Sequence, residues 1–166
     1  LQFGAELYGH AGLEADLEVQ DLALDSLRAA GVPGLVLDLA DARIVRGLLA
    51  GVACDPARLN EVYAALAAKD GTALQALGSG FAAEVRQGLQ ALTSLYGDGE
   101  VLDIAAARLP QRPLITAALA DLRRLAAHAA IAHPDVRVGF DLADLSGYAY
   151  YSGARFAIFA AGAGDA

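Results

Sequence analysis

With 166 residues, 56% of them hydrophobic, and a mean hydropathy of +0.40, the chain can bury a core and falls outside the disordered class. Its net charge is −8, with one lysine (Lys69) and eleven arginines of which only Arg123 and Arg124 are adjacent, so the clustered positive charge that phosphate backbones demand is lacking. The single cysteine, Cys54, excludes an internal disulfide and a cysteine-based zinc site and reads as a small, half-buried apolar residue.

No apolar stretch approaches the roughly 18 residues of a membrane span, and none has the layout of a signal peptide. The expectation is a soluble, cytoplasmic protein with no membrane partner. The chain opens on Leu1 and contains no methionine, the pattern expected of an internal piece of a longer protein.

In chain order, residues 1–9 alternate as a strand does. One face would carry Gln2, Gly4, Glu6 and Tyr8, polar enough to floor a cleft. The other would carry Phe3, Ala5 and Leu7 toward a core. A helix is expected from about Asp16 to Ala30, with Val19, Leu22, Ala23, Leu27 and Ala30 at helical spacing and Gly31 ending it. Glu14, Asp16 and Glu18 read as charges favoured by the helix N-terminus rather than as metal ligands.

Leu35–Leu39 reads as a mostly buried strand, followed by a short helix capped by Asp41 and running through Leu49. Asp55-Pro56 opens the next helix, with Leu59, Val62, Tyr63 and Leu66 along it, and Asp70-Gly71 breaks it. Phe81, Val85, Leu89, Leu92 and Leu95 mark a further helix closed by Gly97-Asp98-Gly99. Residues 55–108 are therefore expected to form an all-helical insertion between strands. Gly78-Ser79-Gly80 lacks the following Gly-Lys-Ser/Thr of a phosphate loop and reads as a helix break.

A long helix is expected from Leu114 to Ile131, with Ile115, Leu119, Leu122, Leu125 and Ala129 buried and Pro134 beyond its end. His128 and His133 are spaced poorly for a shared metal and read as surface or capping groups; His10 lies near the end of the first strand. Val136–Leu142 and Tyr148–Phe159 read as two strands joined near 144–147 in an antiparallel hairpin. The fold class expected is α+β: an antiparallel sheet from segments near 1–9, 35–40, 135–144 and 148–160, flanked by helices.

Two stretches carry a family resemblance. Gln2-Phe-Gly-Ala-Glu6-Leu-Tyr-Gly9, followed by Ala15-Asp16-Leu-Glu18, resembles the segment of histidyl-tRNA synthetases after motif 2, where a glutamine and a glutamate four residues later face the bound amino acid. Phe140-Asp-Leu-Ala-Asp-Leu-Ser146-Gly147-Tyr-Ala-Tyr150-Tyr151-Ser-Gly153-Ala-Arg-Phe156 resembles the histidine-specific signature of the same class II enzymes, Arg-Gly-Leu-Asp-Tyr-Tyr-Thr/Asn. The likeness covers roughly the first 40 and last 30 residues. It implies a class II synthetase-like core without the regions of motifs 1 and 3.

Two departures bear on function. Ser146 stands where the signature has its arginine, and Ala149 where it has aspartate. The family's arginine stabilises charge developing on the ATP α-phosphate, and loss of such a group costs about 10²–10³ in rate. Gln2, Glu6, Tyr150 and Tyr151, the positions that match the amino-acid pocket, are all present. This pattern resembles the synthetase paralogue that serves as regulatory subunit of ATP phosphoribosyltransferase in the first step of histidine biosynthesis.

The resemblance implies no catalytic residue, no cofactor, no metal and no tRNA. Its partners would be a short-form catalytic phosphoribosyltransferase subunit, a second copy of the full-length chain in a homodimer, and histidine as effector. Glu6 would pair with the α-ammonium of histidine, and Gln2 would add a polar contact. Tyr150 and Tyr151 point to opposite faces of a regular strand, so one would read the imidazole while the other packs. Two matters stay open: which tyrosine faces the ligand, and whether histidine occupies the old substrate pocket or a subunit boundary. The alternative readings are an active histidyl-tRNA synthetase or another class II paralogue that binds an amino acid.

Overall fold

A computed structural model describes residues 4–144 and 152–160. Helix α1 (Leu13–Ala29) leads into strand β1 (Leu35–Asp41) through a turn in which Gly31 and Gly34 both take positive φ. The chain then runs through α2 (Ala42–Leu49), α3 (Pro56–Ala67), α4 (Gly71–Leu77), one 3-10 turn at Gly78–Gly80, and α5 (Ala83–Leu92). After these come β2 (Tyr96–Gly97), α6 (Glu100–Arg108), α7 (Pro113–Ala132), β3 (Arg137–Asp141) and β4 (Ala154–Ala160). The α+β class is that expected from sequence.

Local chemistry sets most of these boundaries. The Asp41 carboxylate accepts from the Arg43 backbone N–H at 2.8 Å, that of Asp55 from Arg58 N at 3.0 Å, and that of Asp70 from Ala73 N at 2.9 Å. Each satisfies a donor that the first helical turn leaves orphaned. Asp70-Gly71 thus ends one helix and at once caps the next, α4.

Helix α7 is the central beam. Ile115, Ala118, Leu119, Leu122, Leu125 and Ala129 are buried along one stripe, and each large side chain there contributes about 1.5–3 kcal/mol by leaving water. It crosses α2 at close range because position 47 is glycine: a Cβ there would stand 2.7 Å from Ile115 Cγ1. Gly88 plays the same part between α5 and α2, where a Cβ would stand 2.5 Å from Leu48 Cδ2.

The sheet has the order β2-β3-β1-β4. β1 pairs parallel with β3, Val36 opposite Arg137 through Leu39 opposite Phe140. It pairs antiparallel with β4, Leu35 opposite Ala160 through Asp41 opposite Ala154. β2 adds an antiparallel pair, with Tyr96 opposite Asp141. The sheet is therefore mixed, a correction to the antiparallel expectation.

Three local expectations also change. The hairpin of β3 with β4 does not form, because β1 lies between them. Leu35, Leu37 and Leu39 are almost wholly buried, which suits β1 to the interior of the sheet, and the connection over 142–153 is far longer than a hairpin turn. Segment 55–108 is not wholly helical: Tyr96 and Gly97 join the sheet against β3. Residues 4–9 form no strand and lie exposed. Alternation lets a segment serve as a strand but does not supply its ladder partner, and Ala5 and Leu7 offer too little apolar area to hold it down.

Candidate functional site

Alternation divides the sheet into two faces. Leu37, Leu39, Val138, Phe140, Phe156 and Ile158 belong to the face that joins the core with α7. On the opposite face, Asp38 lies between its Cα partners Gly139 on β3 and Ala157 on β4. Asp141, Tyr96 and Arg155 share that face by register. Asp38, Gly139, Asp141, Ala157 and Arg155 are only half-buried, and Tyr96 is exposed.

Charges on this second face are arranged in order. Lys69 Nζ donates to Asp141 Oδ2 at 2.5 Å and stands 4.7 Å from the centre of the Tyr96 ring. Asp141 Oδ1 also accepts from the Ala143 backbone N–H at 3.1 Å. At the other end of the same connection Arg155 donates to Asp144. Asp38 sits between the two pairs. Burial, then the neighbouring Asp141 charge, raise its carboxyl above the usual range, while Arg155 and Lys69 oppose the shift.

Glu6, expected in a cleft floor, lies in the exposed segment before α1, where the Tyr8 hydroxyl donates to its carboxylate. The structure does not place it in a cleft. Gln2, Tyr150 and Tyr151, together with Ser146 and Ala149, lie outside the described residues. Sequence reading missed the ordered charges of the second face. The signals were the only lysine and an aspartate within an apolar strand.

Two further networks were not foreseen. Asp41, fully buried, is gripped by Arg43, whose Nη2 also reaches Asp121 Oδ2 at 2.8 Å. The bond to Asp41 raises the guanidinium's pKa most, burial opposes it, and Asp121 adds to the rise. Asp16 is raised by burial, against Arg43, with Asp41 and Asp121 adding to the rise.

The other network joins α1 to α7. Arg28 Nη1 donates to His133 Nδ1 at 2.6 Å, so that nitrogen carries a lone pair, since a guanidinium can only donate. His133 Nε2–H then donates to Asp21 Oδ1 at 2.9 Å, and His128 Nε2–H to Asp21 Oδ2 at 2.8 Å. Burial alone would raise Asp21, but the hydrogen bonds from His128 and His133 outweigh it and leave the carboxyl below its usual range. His133 is therefore a buried capping group rather than a surface one, with its side chain only 4% exposed. Among the described residues no cluster could hold a metal ion, and no helix is long and apolar enough to cross a membrane.

A family profile described as histidyl-tRNA synthetase matches residues 1–166. The chain belongs to that family. Within it, the chain is similar to proteins named ATP phosphoribosyltransferase regulatory subunit: it is 59% identical to that of Variovorax paradoxus over 100% of its own length and 43% of the relative's. The chain thus spans less than half of the curated relatives it matches. The fold resembles a solved ATP phosphoribosyltransferase regulatory subunit/histidyl-tRNA synthetase from Bacillus halodurans C, with a TM-score of 0.76, 23% identity, and coverage of 94% of this chain and 41% of that one. It also resembles a chain of the ATP phosphoribosyl transferase (HisG:HisZ) complex from Thermotoga maritima, with a TM-score of 0.72, 16% identity, and coverage of 92% and 53%. Family membership supports the class II synthetase-like reading of the mixed sheet and its helices.

Proposed function

We propose that this chain is the synthetase-like core of a regulatory subunit of ATP phosphoribosyltransferase, non-catalytic itself, and needed for the activity and histidine sensitivity of a short-form catalytic subunit. The observation that carries this reading is the 59% identity, along the whole chain, to a relative of that name. The replacement of the signature arginine by Ser146 supports it, because a short neutral hydroxyl cannot offset charge on a transferring phosphate.

Histidine is the effector in this reading, and Gln2, Glu6, Tyr150 and Tyr151 are its pocket. Glu6 takes the ammonium, Gln2 a second polar contact, and one tyrosine hydroxyl an imidazole nitrogen. The full-length protein is a cytoplasmic homodimer that assembles with the catalytic subunit. Apart from the tie between Tyr8 and Glu6, the described residues carry none of the pocket's contacts.

The test mixes the full-length protein with a short catalytic phosphoribosyltransferase subunit. Activity should appear only in the mixture, and histidine should inhibit it. The full-length protein alone should give no pyrophosphate exchange with ATP, magnesium and histidine. Exchange above background would mark an active synthetase. Absence of both exchange and activation would leave a class II paralogue of another kind.

A further inference from the structure

Strand β2 is only two residues long, and both of them are exposed. It runs from the buried Leu95 to the start of α6, and its Gly97 takes a positive φ. Its ladder to β3 consists of Tyr96 opposite Asp141 and Gly97 opposite Phe140, beside the bond from Leu142 N–H to Leu95 O at 3.0 Å. A strand this short, with little buried area of its own, belongs to the part of a fold that opens locally before the whole unfolds.

One side chain from outside the sheet spans this corner. Lys69, where α3 ends, has φ of +52°, and it alone among the described non-glycine residues has a positive φ. The Lys69 N–H reaches Leu66 O at 2.9 Å and the Asp70 N–H reaches Ala65 O at 2.8 Å, the hydrogen bonds of a helix end that glycine commonly serves. Any Cβ in this left-handed conformation meets the neighbouring backbone, and glycine would relieve the cost. The side chain reaches the sheet: its ammonium meets Asp141 at 2.5 Å and stands 4.7 Å from the centre of the Tyr96 ring. Tyr96 and Asp141 face each other across the β2–β3 pair, so one cation grips both strands at the same rung. Arg155 does not replace it, because that guanidinium is engaged with Asp144.

We propose that Lys69 is a latch: it holds the β2–β3 corner shut against local opening and ties the end of α3 to that corner, while adding little to the stability of the whole fold. The lysine side chain is 33% exposed, and an ion pair of this exposure contributes little to global folding. Its left-handed backbone gives back part of even that contribution. A latch and a general stabiliser therefore behave differently when glycine replaces the lysine. Glycine relieves the backbone at position 69 and frees only the corner, whereas loss of a general stabiliser would loosen the central strands and lower the melt.

The experiment follows amide hydrogen exchange by mass spectrometry in the full-length wild type, Lys69→Gly and Lys69→Arg, each with a thermal melt. Peptides over 93–99 and 136–142 report the corner, and a peptide over 35–41 reports β1 as the control. In Lys69→Gly the corner peptides should exchange about tenfold faster, the loss expected when an exposed ion pair and a cation over a ring go together. The control should be unchanged and the melt at or above that of the wild type. Lys69→Arg keeps a cation able to meet Asp141 and Tyr96, and its corner should exchange within about threefold of the wild type. Wild-type exchange at the corner in Lys69→Gly would overturn the proposal. So would a rise shared by the control peptide with a lowered melt, or an equal rise in Lys69→Arg.

Discussion

The base of the α1–α7 pair and the second face of the sheet both carry buried or half-buried aspartates, yet they handle charge in opposite ways. At the helix base, Asp21 accepts from two histidines, one of which accepts in turn from Arg28, and Arg28 also pairs with Asp135. Hydrogen-bonding capacity is taken up and Asp21 is held below its usual range. On the sheet face, Lys69 and Arg155 are spent on Asp141 and Asp144, while Asp38 takes part in neither ion pair and is raised instead. The first arrangement fastens elements together. The second leaves Asp38 without a cation of its own, its carboxyl raised by burial and by the neighbouring Asp141 charge.

The largest expected effect is at the most enclosed charge. Asp41→Ala removes both a helix cap and the buried partner of Arg43, and should destabilise by about 3 kcal/mol; Asp121 still holds the arginine and keeps the loss at the lower end for a broken buried pair. Chemical denaturation of wild type and variant measures it. A loss under about 1 kcal/mol would show that this network fastens no more than a surface pair does.

Next comes ligand affinity. Glu6→Gln in the full-length protein should weaken histidine binding at least tenfold, about 1.4 kcal/mol, with an unchanged melt, since Glu6 is exposed in the chain itself. Unchanged affinity in a calorimetric titration would reduce Glu6 to a surface carboxylate tied to Tyr8.

The sharpest comparison is between two conservative substitutions of opposite sign. Asp21 has a lowered folded pKa, so its stabilisation is complete above the ordinary carboxylate range and is lost as pH falls through that range to its folded value. Asp38 has a raised folded pKa, so its charge is a penalty at neutral pH that disappears as pH falls below its folded value. At pH 7, Asp21→Asn should lower stability by about 1 kcal/mol and Asp38→Asn should raise it by less than about 1 kcal/mol. Melts repeated near pH 3 should bring both variants toward wild type. Shifts of the same sign at pH 7 would erase the contrast between the two regions. Smallest of all, Arg123→Ala breaks an exposed pair with Asp103 and should change stability by under about 0.5 kcal/mol in the same denaturation assay.

What was legible in the sequence follows the range of the forces involved. Asp41 and Asp55 act on their own first helical turns, and the helices they open begin where those residues place them. The α7 stripe was legible for the same reason: a 3.6-residue period needs no knowledge of the partner. Strand order was not. Nothing within 136–160 says that β1, a hundred residues upstream, will enter between β3 and β4, because pairing is decided by whole-core burial. Residues 4–9 erred in the other direction: alternation was read as a strand where no ladder partner stands among the described residues. For histidine contacts the sequence offers only motif likeness, at Gln2, Glu6, Tyr150 and Tyr151. Lys69 and Asp141 are 72 residues apart, and no local pattern joins them.

The outer position of β4 has a practical consequence. Among the described residues β4 has a single ladder partner, so one side of its backbone from Ala154 to Ala160 presents unpaired donors and acceptors. After Arg155 the strand reads Phe-Ala-Ile-Phe-Ala, with no charge and no proline to deter a visiting strand, and the Phe159 side chain is 57% exposed. Such an edge is a template for another copy's β4, and stacking of that kind grows with concentration whatever the folding free energy. Association through this edge is expected to limit how concentrated the isolated chain can be kept.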